Sequence, residues 1–211
     1  VRIANKIGPV RLKEFYKRLG LLEKTSLELP ESQLIVPQFP KKWKSLETAT
    51  ASYGHGIAVS PIHLAVAYSS LVNGGYKVKP TLLKKQVKVE YRNFIISDTT
   101  SRLVRSLLGQ VVMKGTAKDS NFGGYNVGGK TGTAEKPDPI RGGYYEDKVI
   151  STFASVFPIS TGDYVLVVTL DEPENNLGSE SFRYASKTAV PISAKIIGRI
   201  APLLGLKTNE E

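Results

Sequence analysis

The sequence predicts an α+β fold, an antiparallel sheet covered by helices. Two observations point there. Three strand-like runs, Lys130 to Thr133, Val149 to Phe157 and Tyr164 to Leu170, follow one another with a polar turn (Pro137 to Glu146) and a hairpin-like connection (Pro158 to Asp163) between them. Before and after this block lie helical segments with proline or a hydroxyl at the start and glycine at the end.

Composition narrows the class. With 211 residues, 41% of them apolar and 23% charged, the chain has a globular composition and is long enough for one good-sized domain. It has no cysteine, which excludes a disulfide framework and thiolate chemistry. No apolar run is long enough to span a bilayer, the C-terminal one being interrupted by Lys195 and Arg199. The formal charge of +10 favours an anionic partner. The densest basic stretch, Lys77, Lys79, Lys84, Lys85, Lys88 and Arg92, has no aromatic interleaving or recognition-helix pattern, so it reads as the solvated face of a strand pair, not a nucleic-acid surface.

Taken in order, Val1 to Gly8 reads as the tail of a helix already under way, with no initiator methionine, so the chain is expected to be a piece of a longer protein. Pro9 opens a short amphipathic helix carrying Leu12, Phe15, Tyr16 and Leu19, ended by Gly20. Prolines 30, 37 and 40 make Leu21 to Leu46 a long connection anchored by burial of Trp43. Ser60 is an N-cap and Pro61 a first helical residue. Leu64, Ala65, Tyr68 and Leu71 form the apolar face, and Asn73-Gly74-Gly75 stops the helix. His55 and His63 lack an acid-and-nucleophile set and read as structural. A helix from about Thr99 to Lys114, capped by Asp98 or Thr100, buries Val104, Leu107, Leu108, Val111 and Val112 before Gly115. The apolar run Tyr164 to Leu170 fits a central strand buried on both faces. Ser186 to Leu206 forms a helix that Pro191 starts or kinks, with Ile192, Ile196, Ile197 and Ile200 on its apolar side.

The chemistry concentrates between Gly123 and Pro137, where glycines crowd around Lys130, Thr131 and Thr133. Gly124 to Thr131 satisfies the phosphate-cradling pattern G-x-x-x-x-G-K-[ST], and Asp171 and Glu172 end an apolar strand as magnesium-holding acids would. That reading needs a buried strand before the glycines and a helix after the lysine. Instead a polar, turn-like stretch precedes them, and Gly132, Pro137 and Pro139 follow. The other reading places Lys130-Thr131-Gly132-Thr133 on a strand lining an acyl-transfer site, and it is the one the context favours.

Gly54-x-Gly56, then Ser60-Pro61-x-x-Leu64-Ala65-x-x-Tyr68 and Asn73-Gly74-Gly75, resembles the penicillin-binding protein transpeptidases of bacterial cell-wall synthesis. Lys79-Pro80, Gly115-Thr116-Ala117, Gly124-Tyr125 and Gly129-Lys130-Thr131-Gly132-Thr133-Ala134 continue in that family's order across nearly the whole chain. Thr131, together with the loop Ser52-Tyr53-Gly54-His55-Gly56, looks more like the monofunctional class B enzymes of the division septum, elongation-specific relatives being the alternative.

The resemblance implies a penicillin-binding protein/serine β-lactamase-like fold with a five-stranded sheet between helical layers. Residues 1–211 would form the C-terminal part of a single transpeptidase domain, the first two strands preceding this chain. It implies an N-terminal membrane anchor and a periplasmic or extracytoplasmic location. The implied partners are peptidoglycan stem peptides, β-lactams, the N-terminal remainder of the protein and divisome proteins, with no cofactor, metal or nucleic acid. In the site, the Lys130 ammonium attracts a substrate carboxylate and biases nearby hydroxyls toward losing a proton. The hydroxyls of Thr131 and Thr133 are possible donors to that carboxylate, and the family assigns the backbone N–H at Thr133 to the oxyanion hole. Gly132 lets an extended peptide lie against the strand edge. The family's nucleophile motif Ser-x-x-Lys and its second motif Ser-x-Asn have no counterpart in the right place: Ser69 to Val72 does not match, and Ser181 to Lys187 has the wrong spacing. The chain alone is therefore expected to be inactive. A non-catalytic wall-binding scaffold and a P-loop NTPase stand as the alternative functions.

Overall fold

The computed structural model describes residues 1–84, 93–118, 120–174 and 183–208, which form two compact units, Val1–Ser101 and Arg102–Glu211. Lys85, Lys88 and Arg92 of the basic stretch, and Ser181, lie outside the described residues.

In the first unit, α1 (Arg2–Ile7) and α2 (Pro9–Arg18) are separated by Gly8 at φ 80°, a backbone region that glycine reaches without strain. The α2 stripe feeds a small core in which Leu19, Leu21, Ala67 and Ile95 are buried, with Phe15, Tyr16 and Phe39 packed on them. Trp43 is half-buried, its ring 6.2 Å from Phe39 and 6.0 Å from Tyr16, so the long connection is pinned by an aromatic trio. The Tyr16 hydroxyl donates to the Ala51 carbonyl at 2.8 Å, and burial pushes its pKa up. Ala51 closes a helix the sequence pattern misses, α3 (Ser45–Ala51). Its seven residues include two threonines, poor helix formers, and its start is fixed by the Glu47 carboxylate accepting the Lys44 N–H at 3.0 Å.

Helix α4 (Pro61–Val72) starts and stops where predicted but buries a different stripe: His63, Ala67, Ser70 and Val72, leaving Leu64, Ala65, Tyr68 and Leu71 half-buried. Two of the buried residues are polar and fully provided for, which a search for apolar residues cannot see. His63 sits between the Ser60 hydroxyl (2.7 Å from Nδ1) and the Glu23 carbonyl (2.8 Å from Nε2). A carbonyl only accepts, so Nε2 carries the proton and, in the neutral ring, Nδ1 receives that of Ser60. Ser70 donates to the Val66 carbonyl and accepts the Val78 N–H, both at 2.9 Å. After the helix Gly75 (φ 93°) lies so close to the Ile96 carbonyl that an added Cβ would stand 2.1 Å from its oxygen.

Helix α5 (Asp98–Lys114) runs from the first unit into the second. Its cap is neither Asp98 nor Thr100 but the preceding Ser97, whose hydroxyl accepts the Thr100 N–H at 3.2 Å. Of the expected buried stripe, Val104, Leu108, Val111 and Val112 are half-buried and Leu107 is 59% exposed.

The sheet of the second unit has the order β1 (Gly128–Pro137), β2 (Tyr144–Phe157), β3 (Tyr164–Asp171), all antiparallel. The polar turn is built by Asp138, whose carboxylate accepts the N–H groups of Ile140 (2.8 Å) and Arg141 (3.0 Å). Among the described residues the middle strand is β2, and β3 (Tyr164–Asp171), expected to be buried on both faces, pairs with β2 alone, its residues half-buried or exposed. Serines and a threonine interrupt the apolar run of β2, yet each hydroxyl is satisfied: Ser151 with Thr188 (2.6 Å), Ser155 with the Leu166 carbonyl (3.0 Å), Thr152 with Thr169 (3.2 Å).

Helix α6 (Ala189–Ile200) covers one sheet face. Its Ala189, Val190, Ala194 and Ile197 join Phe153 and Phe157 in the main core, with Phe122 and Val127 beside them. Ile196 and Ile200 are half-buried and Ile192 exposed, so the predicted apolar side is rotated by about one residue toward the small residues that let the helix approach the sheet. Pro191 is the third residue of the helix, in the first turn, where a missing N–H removes no intrahelical hydrogen bond. On the opposite face Gly128 meets α5: a Cβ there would fall 2.4 Å from Ile159 and 3.0 Å from the Gly109 nitrogen.

Candidate active-site strand

The crowding of glycine around Lys130 has a packing cause at one end and none at the other. At Gly129 a Cβ would stand 2.5 Å from the Phe153 ring and 2.7 Å from the Ala154 carbonyl. Gly128 and Gly129 are buried and let β1 lie flat against its neighbours. From Gly132 onward the strand emerges: Gly132, Thr133, Ala134 and Glu135 are all exposed, and a Cβ at Gly132 would meet nothing nearer than the Thr152 carbonyl at 4.0 Å.

Pairing places Lys130 opposite Ala154 and Gly132 opposite Thr152, on one face, and Thr131 opposite Phe153 and Thr133 opposite Ser151, on the α6 face. The structure thus aligns the four predicted residues on one strand but divides their side chains between its faces. The Lys130 side chain is exposed, its ammonium donating to the Thr131 carbonyl at 2.7 Å. Each threonine is held by a residue that sequence reasoning gave no role. The Thr131 hydroxyl is 2.8 Å from that of Thr116, in the turn after α5. The Thr133 hydroxyl oxygen accepts the Ala185 N–H at 3.1 Å, which leaves its proton for another acceptor. The signal for Thr116 was its place in Gly115-Thr116-Ala117; Ala185 acts through its backbone, 52 positions away, and left none.

Among the described residues β1 pairs only with β2, so its other edge carries no strand partner among them, the arrangement to which an extended chain can add. The phosphate-loop reading is overturned here. Lys130 stands inside a strand, with no helix opening at it, and the acids meant for magnesium are ion-paired: Lys136 Nζ lies 3.0 Å from Asp171 and 2.5 Å from Glu172. The hydrogen bond to Glu172, then that to Asp171, raises the Lys136 pKa above that of an ordinary lysine. Among the described residues no group of His, Cys, Asp and Glu is placed to hold a metal, and no helix is long and apolar enough to cross a membrane.

An antiparallel sheet with helix α6 on one face, Gly109 of α5 against the other and a Lys-Thr-Gly strand at its edge defines an α+β domain of the transpeptidase type. The chain belongs to the penicillin binding protein transpeptidase domain family, whose model matches residues 1–198. A protein of Caulobacter vibrioides named a probable peptidoglycan D,D-transpeptidase FtsI is 34% identical over 99% of this chain and 36% of its own length. Stage V sporulation protein D of Bacillus subtilis is 32% identical over 100% of this chain and 33% of its own. The chain therefore spans about a third of the length of these relatives. The apo transpeptidase domain of Burkholderia pseudomallei penicillin-binding protein 3 superimposes with a TM-score of 0.84 at 29% identity, covering 99% of this chain and 61% of that one.

Proposed function

We propose that this chain is the C-terminal part of a single transpeptidase domain in a peptidoglycan D,D-transpeptidase, one that crosslinks wall stem peptides through a serine acyl-enzyme and is acylated by β-lactams. The observation that carries the reading is the strand Lys130–Thr133 at an open sheet edge, exposed from Gly132 onward and braced from behind by Thr116 and Ala185. The Lys130 ammonium attracts the carboxylate of a stem peptide or β-lactam and favours deprotonated neighbours. The hydroxyls of Thr131 and Thr133 stand on the opposite face from Lys130 and so reach that carboxylate only where it crosses the strand edge; the backbone N–H of Thr133 donates to the oxyanion, and Gly132 leaves room for the peptide. Bracing matters because a donor that is already oriented loses little freedom when charge develops. The serine nucleophile and its base would come from outside these 211 residues. The protein works at the outer face of the cytoplasmic membrane, in division, with divisome proteins as partners.

The test is covalent labelling with a fluorescent penicillin, in a protein that carries this chain together with the nucleophile-bearing part of the domain. Lys130→Ala is expected to lower the acylation rate by about 10²- to 10⁴-fold while the protein stays folded. Wild-type acylation of that variant overturns the role given to Lys130.

A further inference from the structure

A cavity of about 430 Å³ opens in the first unit and shares no residue with the Lys130 strand. Leu19, Val66, Val78 and Pro80 supply apolar wall. Three lysines, Lys24, Lys77 and Lys79, are among the lining residues and are exposed, against one acidic lining residue, Glu23. Thr25, also lining, is only 8% exposed, and its hydroxyl is buried without a hydrogen-bond partner among the described residues. Orphaned buried hydroxyls are rare in folded proteins. The nearby imidazole cannot serve, since both His63 nitrogens are engaged, with Ser60 and with the Glu23 carbonyl.

We propose that this cavity binds a small organic oxyanion with an apolar body, a carboxylate or a phosphate ester. Rotation of the Thr25 side chain would turn its buried hydroxyl toward the ligand's oxygens, the lining lysines supply the charge, and the carbon skeleton lies on the apolar wall. The volume is that of a small-ligand pocket, and the mix of apolar wall with a few convergent polar groups is what such pockets use. Water is the competing occupant, because a cavity of this size with a polar group holds it. The two differ in charge dependence: water has no need of the lysines.

The test is a titration of the full ¹⁵N-labelled chain with benzoate, phenyl phosphate and neutral benzamide, followed by amide NMR. Saturable shifts are expected at residues 24–26 and 77–79 with at least one of the anions, the tighter one identifying the head group. Benzamide should bind about tenfold more weakly, and Lys77→Gln combined with Lys79→Gln should weaken the anion by about tenfold. Thr25→Val should do the same; if it does not fold, the lysine pair, at exposed positions, still decides. No saturable shift at these amides, equal binding of benzamide, or an undiminished anion affinity in the lysine variant overturns the proposal.

Discussion

Gly129 and Gly132 stand three positions apart on one strand and are glycines for different reasons. At 129 the fold demands it, since a Cβ would press on the Phe153 ring and the Ala154 carbonyl. At 132 nothing in the described chain does. Gly129→Ala is expected to destabilise by about 1–3 kcal/mol, read as a drop in the denaturant midpoint. Gly132→Ala should leave the midpoint unchanged or raise it slightly, because alanine restricts the unfolded chain. In a protein that joins this chain to the proposed nucleophile-bearing part of the domain, it should slow the proposed acylation by penicillin, its methyl lying on the sheet face that carries Lys130. Unchanged acylation would remove Gly132 from the binding surface. The lysine and glycine of this motif were legible because their chemistry is local in sequence. The support was not: the Ala185 N–H that holds Thr133 is a backbone group, which every residue but proline has.

At the level of elements, boundaries were more legible than faces. Pro61 and Asn73-Gly74-Gly75 delimit α4, and Gly115 ends α5, because caps and terminators act within a turn of the helix end. The buried stripe of α4 was misjudged because His63 and Ser70 become core residues only once Glu23 and Val78 arrive from elsewhere. Among the described residues the middle strand is β2, whose hydroxyls read as polar in the sequence until Thr188, Leu166 and Thr169 satisfy them. The Lys136 pair is an element-scale device, tying the end of β1 to the end of β3 across β2. At its β3 end Glu172 sits at φ 48°, in the left-handed region, with Lys148 a further 3.7 Å neighbour. Because the folded-state pKa of Lys136 is raised, whatever stability the pair contributes is fully present below the unfolded value of about 10.5. It is lost as pH rises through the higher folded value. Lys136→Met should therefore lower Tm at about pH 9, and the gap to wild type should close toward about pH 12. A gap that widens with alkali contradicts the assigned pair.

Over the whole molecule, each compact unit has its own core, and the sheet edges of β1 and β3 carry no strand partner among the described residues. Open edges and apolar side chains at the surface favour association. On α5, Leu103 is 58% and Leu107 59% exposed. The net charge of +10 opposes association by repulsion between copies, so screening should expose it. Sedimentation velocity is expected to show self-association that grows with salt and is reduced by Leu103→Glu with Leu107→Glu. A monomer at all salt concentrations, including those that screen the charge, would show that these edges and leucines do not drive association.

The freedom at Gly132, Ala134 and Glu135 has an evolutionary consequence. Substitutions at most core positions are filtered by whether the chain folds, before any ligand is met. These three exposed positions escape that first filter, so selection there answers directly to whatever lies along the strand. An inhibitor that presses on this edge meets positions that can change at little cost to folding, whereas one that reaches Gly128 and Gly129 meets positions where any added side chain collides with the core.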